Sequence, residues 1–299
     1  GTLITIDPDG LGSEGTISVS ALGWNNGNSI ANINRYDANG NLDVNGLIQT
    51  YGQASLANFN NAASSAIGGL GLNSSYQWTY VFGVQEDATT TGTNATFKTT
   101  SGGENFFKIY YNSALTSSNV NGTGFTDGQL ILSGTIRPYD STSGTGYGTF
   151  ASSSGATVAL DQNGVNNYAG ILTTTGTGST SLEGIVSIGF ADSNFFKNIG
   201  SEITIAPDSL NNQPFKSVDP SSCFTNQAGS LIPGAGPNNA GGSCTSAIGT
   251  LNGIDGGSIM FQTRATNDFV VTTVPEPTSM ALVGAGLLSL VGLSRRKRA

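Results

Sequence analysis

The segment Tyr76-Gln77-Trp78-Thr79-Tyr80-Val81-Phe82 places an aromatic residue at every second position. A strand sends alternate side chains to opposite faces, so all four rings share one face. The same period recurs in Phe106-Phe107-Lys108-Ile109-Tyr110-Tyr111, in Leu130-Ile131-Leu132-Ser133-Gly134-Thr135-Ile136 and in Gly184-Ile185-Val186-Ser187-Ile188-Gly189-Phe190. Leu3-Ile4-Thr5-Ile6, Ile203-Thr204-Ile205 and Asp268-Phe269-Val270-Val271 add shorter examples. Clusters of Gly, Asn, Asp and Ser separate them, which is the punctuation of strands joined by turns.

Composition removes the alternative. Charged residues are 10% of the chain and Gly alone numbers 43, so the side chains that favour long helices are scarce. One helical candidate, 47–70, is rich in Ala, Ser and Leu, but Gly52 and the pair Asn60-Asn61 oppose it. The reading is a mainly β body, an antiparallel β-sandwich or jelly-roll-like fold. The aromatic face of 76–82 is expected to be core; an exposed platform stacking on sugar rings is the alternative. Ile4-Thr5-Ile6-Asp7-Pro8-Asp9 echoes Ile203-Thr204-Ile205-Ala206-Pro207-Asp208, and shared strand-then-turn grammar is enough to explain it. The Thr/Ser/Gly-rich stretches 88–103 and 141–182 read as exposed hairpins or long loops.

The chain has no His and 2 Cys. Ser-His-Asp and Cys-His catalysis and His-based zinc sites are therefore ruled out. Nineteen acids against 11 bases disfavour nucleic acid as a partner. Residues 1–274 hold 18 acids and 7 bases, a formal charge of −11, whereas four bases gather at Arg295, Arg296, Lys297 and Arg298.

Those four follow an apolar run, Met280 to Leu293, which follows Val274-Pro275-Glu276-Pro277-Thr278. Counted from Thr278 to Ser294, a helix here would reach about 25 Å against a bilayer core of about 30 Å. A short apolar segment closed by Lys and Arg reads as a stop-transfer or sorting element. Pro275, Glu276 and Pro277, the Gly/Leu/Ala-rich run and the terminal basic cluster resemble the PEP-CTERM sorting signal of Gram-negative bacteria. The resemblance implies export, transient anchoring in the inner membrane through a C-terminal hydrophobic sorting helix, and processing by an exosortase. It divides the chain into an extracellular β-rich domain, 1–273, and a sorting signal, 274–299. It also implies a place at the cell surface or in the extracellular matrix. The opening Gly1-Thr2-Leu3-Ile4 lacks a leader, so a signal peptide is expected to have been removed.

Cys223 and Cys244 fit an oxidising compartment and are expected to form a disulfide, closing a loop worth roughly 3 kcal/mol. Free thiols are the alternative.

Ile4-Thr5-Ile6-Asp7-Pro8-Asp9-Gly10, the 106–111 strand, and Gly124-Phe125-Thr126-Asp127-Gly128 with Ile131-Leu132-Ser133-Gly134 are similar to flocculation-associated PEP-CTERM proteins. That resemblance implies a non-enzymatic protein promoting cell aggregation with exopolysaccharide, self-association being a further mode of contact.

Two other functions are weighed. Asp37, Asn39, Asn41 and Asp43 present oxygens at every second residue, as a calcium loop does, which makes calcium the one candidate cofactor and a calcium-dependent carbohydrate-binding module the alternative. Leu42 and Ile48 stand where an EF-hand-like loop wants Gly and a carboxylate, and a polar turn explains the pattern equally. A polysaccharide-active enzyme would need two carboxylates about 5–10 Å apart, drawn from Glu86, Asp87, Glu104 and Glu183. Nothing in their spacing pairs them, and no catalytic residue is assigned.

Overall fold

The computed structural model describes residues 2–12, 15–25, 27–32, 46–91, 94–118, 122–153, 177–207, 213–219, 223–232, 254–263 and 265–270. Every regular element in them is a strand. A hairpin of β1 (Ile4–Ile6) and β2 (Ile17–Val19) opens the chain. The barrel strands follow in order: β3 (Ala21–Trp24), β4 (Gly27–Asn32), β5 (Gly46–Asn60), β6 (Gln77–Thr91), β7 (Asn94–Thr99), β8 (Phe106–Asn112) and β9 (Gln129–Ile136). Then come β10 (Tyr147–Ser153), β11 (Thr177–Leu182), β12 (Gly184–Ala191), β13 (Glu202–Pro207) and β14 (Gln213–Asp219). A two-strand ribbon of β15 (Phe224–Thr225) and β16 (Leu231–Ile232) precedes β17 (Ile254–Thr263) and β18 (Ala265–Val270).

The pairings resolve into eight long staves. β5 and β6 are unbroken staves of 15 residues each. The others are strands interrupted at the waist: β3 with β4, β7 with β8, β9 with β10, β11 with β12, β13 with β14, and β17 with β18. Each stave runs antiparallel to the next in sequence, and the last returns to the first through β18–β3 and β17–β4. The antiparallel all-β body is as the sequence leads one to expect. Its sheets do not face each other as separate layers but close into an up-and-down barrel, because Asn267 pairs with Leu22 and Met260 with Ile30. Closure satisfies the edge groups of every stave.

Alternation decides the two faces. Ala54, Leu56, Trp78, Tyr80, Val84, Phe107, Ile109, Leu132, Val186, Ile203 and Phe269 turn inward into one core. An eight-stranded barrel has an interior just wide enough for side chains to fill. Here aromatic rings fill it: Trp24 sits edge-on to Tyr80 at 4.7 Å, Phe59 to Trp78 at 5.1 Å, and Tyr80 stacks on Phe107 at 5.6 Å. Both indole N–H groups are buried and satisfied, that of Trp24 by Asn267 Oδ1 and that of Trp78 by Pro8 O at 2.8 Å. The 76–82 aromatics are thus core rather than platform, with Phe82 only partly buried. Gly52 gives Phe82 its place, since a Cβ there would lie 2.3 Å from the ring.

One end of the barrel is closed. Ile4, Ile6 and Val19 of the β1–β2 hairpin enter the core with Phe195 and Phe196. Backbone bonds Asp7 N to Phe195 O (2.8 Å) and Lys197 N to Thr5 O (2.9 Å) stitch hairpin to loop. Gly10 adopts φ +68° directly over Phe195, and a Cβ would meet that ring at 2.5 Å. β1 belongs to this plug, whereas β13 is part of a barrel stave, so the sequence echo between them does not mark two halves.

The segment 47–70 is strand rather than helix up to Asn60. Residues 50–54 are buried on both faces, with Thr50, Gly52 and Ala54 inside and Tyr51 and Gln53 outside. The stretch 88–103 contains the expected hairpin, β6 to β7, and the described parts of 141–182 form β10 and β11, paired with each other.

Candidate functional site

The waist of the barrel is where chemistry gathers. The staves break between Thr99 and Phe106, between Ile136 and Tyr147, and at Glu183. Backbone bonds bridge the breaks: Thr99 N to Gly146 O at 2.9 Å, Tyr139 N to Thr99 O at 2.9 Å, and Gly146 N to Glu183 O at 2.7 Å. The turn beyond Tyr139 is held by Asp140, which accepts from Thr142 N at 2.8 Å and Ser143 Oγ at 3.0 Å. Those bonds favour its ionised form and lower its pKa.

Glu86 lies at this level and points inward. It pairs with Ile48 across the β5–β6 ladder and with Thr99 across β6–β7. Its carboxylate accepts from Thr50 Oγ1 at 3.1 Å. Burial raises its pKa to about 7, against the smaller lowering effect of the Thr50 bond. Among the described residues the ion pairs are Arg137–Glu202 and Lys197–Asp7, and neither reaches it.

Glu104 lies across the wall, on the outer face. Tyr51 Oη donates to it at 3.0 Å and Gln227 N at 3.0 Å, while Gln49 brackets its backbone at 2.9 and 3.0 Å. Burial, then Glu104, pushes the Tyr51 pKa up. Lys108 Nζ donates to Gln227 O at 2.7 Å, and Gln53 Nε2 to Cys223 O at 2.8 Å. Residues 223–232 thereby form a strap over the outside of β5, β6 and β8. The sequence offered no signal for this strap, whose anchors lie more than 100 positions away. Beneath and beside it Tyr51, Val81, Phe106 and Phe125 are buried.

The carboxylates weighed as a catalytic pair do not share a site. Glu86 faces the interior, Glu104 is tied to Tyr51 and Gln227 outside, and Asp87 and Glu183 are exposed. Asp37, Asn39, Asn41 and Asp43 lie outside the described residues. Among the described residues no group of three or more acids or Cys is placed to hold a metal. Cys223 is buried and is not a free thiol. Cys244 lies outside the described residues, so their pairing stands as a proposal. Pro275, Glu276, Pro277, Arg295, Arg296, Lys297 and Arg298 also lie outside them. Among the described residues no helix is long and apolar enough to cross a membrane.

Inward positions toward the closed end are apolar, while outward Thr135 and Asp268, and Asp87, Thr89 and Lys98 beyond the waist, are exposed and polar; outward Val81 and Phe106 are buried. A lipid-embedded barrel needs the reverse. Fold and tail sequence together define a closed β-barrel with a polar outer face, joined to a sorting element. The family model described as the PEP-CTERM protein-sorting motif matches residues 273–298. The motif makes this an exported protein, sorted through the membrane and processed by an exosortase. Comparison with curated proteins and with solved structures returned no match.

Proposed function

We propose that the mature protein is a non-enzymatic component of the cell surface or matrix that promotes cell aggregation by contact with exopolysaccharide. The observation that carries this reading is the polar, closed outer wall of a barrel delivered by a sorting motif. Exposed Thr, Asp, Lys and Asn side chains offer hydrogen bonds to sugar hydroxyls. Each contact is weak, and display of many copies on one surface multiplies them. The paired staves leave no open barrel edge among the described residues, so copies that associate do so through side chains or the polymer rather than by adding strands.

The separation of Glu86 from Glu104 by the barrel wall supports a binding role over hydrolysis. The test is the settling rate of a deletion strain with its polymer quantified in the same cultures. Dispersed cells with polymer still produced are the expected result; normal settling overturns the aggregation reading. Intact mass of the mature protein is expected to end near residue 275, and a chain retaining Arg298 would contradict processing there.

A further inference from the structure

The position of the last barrel strand relative to the sorting motif sets how the protein stands on the membrane. β18 ends at Val270, paired with Glu202, beside Thr2, whose N–H donates to Phe269 O at 3.1 Å. This is the closed end, where the β1–β2 hairpin, Phe195 and Phe196 plug the barrel. Residues 271–279 alone join Val270 to the apolar run that begins at Met280. Fully extended, they reach about 30–35 Å.

The barrel is taller than that. A 15-residue stave such as β6 runs about 46–50 Å along the strand, and a tilt of about 35–45° leaves a height of about 35–40 Å. With the opposite end toward the bilayer, the joining chain would have to descend the whole wall. It is too short to do so even when taut.

From this reach we infer that, while the sorting segment is in the membrane, the barrel is held with its closed end toward the bilayer. Its opposite end, where β6 finishes at Thr91, projects outward. The strand-to-strand connections through 33–45, 92–93, 154–176 and 220–253 all start from that outer end, because the staves alternate in direction. The closed end, built from the β1–β2 hairpin and the 192–198 loop, is the surface that faces lipid and the processing enzyme. The inference rests on the sorting tail entering the membrane and is independent of what the outer wall binds.

The test uses the full chain with its tail, reconstituted in liposomes carrying an energy acceptor on the lipid headgroups. A donor dye is attached through a non-natural residue, in place of Ala63 at the closed end or of Thr91 at the opposite end, both exposed. Energy transfer is expected to be severalfold greater from position 63. A Gly-Ser insert of about 12 residues after Val271 adds a flexible segment with a mean span of about 17–21 Å, and is expected to lower transfer from position 63. Equal transfer from both positions means the barrel lies along the bilayer and overturns the inference. So does greater transfer from position 91, or transfer from position 63 unchanged by the insert. Flotation with the liposomes is scored on the same samples: a chain that does not float overturns membrane entry and the orientation together, whereas a floating chain with equal transfer overturns the orientation alone.

Discussion

Replacing Glu86 by Gln tests the inward carboxyl at the barrel waist. Gln has the shape of the protonated acid and keeps an oxygen to accept from Thr50. In an exposed chain this carboxyl ionises near 4.5, and inside the barrel near 7, because burial disfavours the charge and no cation reaches it among the described residues. The folded state therefore holds the proton more tightly than the unfolded state. Its contribution to stability is full below about pH 4.5 and is lost as pH rises through about 7. The two values differ by an amount worth about 3 kcal/mol. Glu86→Gln should lie within about 0.5 kcal/mol of the wild type near pH 4 and be more stable by up to about 3 kcal/mol near pH 8. In thermal melts that gap is about 2–4 °C per kcal/mol for a domain of this size. Asp140 titrates in both proteins and cancels from the difference. Urea unfolding followed by the emission of buried Trp24 and Trp78, at several pH values from about 4 to 8, reads the effect. A gap that does not change with pH would refute the reasoning.

Gly10→Ala places a Cβ on the Phe195 ring at a backbone angle that L-residues disfavour, and should lower stability by more than about 1 kcal/mol in the same assay. Gly15→Ala, also at positive φ but with nothing within 4 Å, should cost less, which separates the packing clash from the backbone effect. Glu104→Ala removes the acceptor shared by Tyr51 and Gln227, and should raise hydrogen exchange across 223–232 while leaving β6 and β8 protected. Non-reducing peptide mapping is expected to find Cys223 linked to Cys244, and reduction should speed exchange in the same strap; recovery of both as free thiols would refute the link.

Much of the barrel was legible because its inward face is written in period two. The alternation at 76–82, 106–111, 130–136 and 184–190 corresponds to β6, β8, β9 and β12. β5 escaped because its centre is buried on both faces: Gly52 meets Phe82 inside while Tyr51 and Gln53 lie under the strap outside, which erases the alternation. The waist was not legible at all. Glu86 and Glu104 are equivalent in sequence, two acids flanked by polar neighbours. One faces the core and the other Tyr51 because of the register of β5, β6 and β8.

The amino-acid sequence alone determined the secondary-structure class, since local alternation, turn residues and the lack of helix formers act over a few positions. It also determined the route of export, because a sorting tail is read as a linear motif. Tertiary structure alone decided that the staves close into a barrel. Closure depends on pairing residues 21–32 with 259–268, and no local preference states which strand edges will meet. It also decided which carboxyl is buried and which end of the barrel lies nearest the tail, because both follow from the direction and register of strands far apart in the chain.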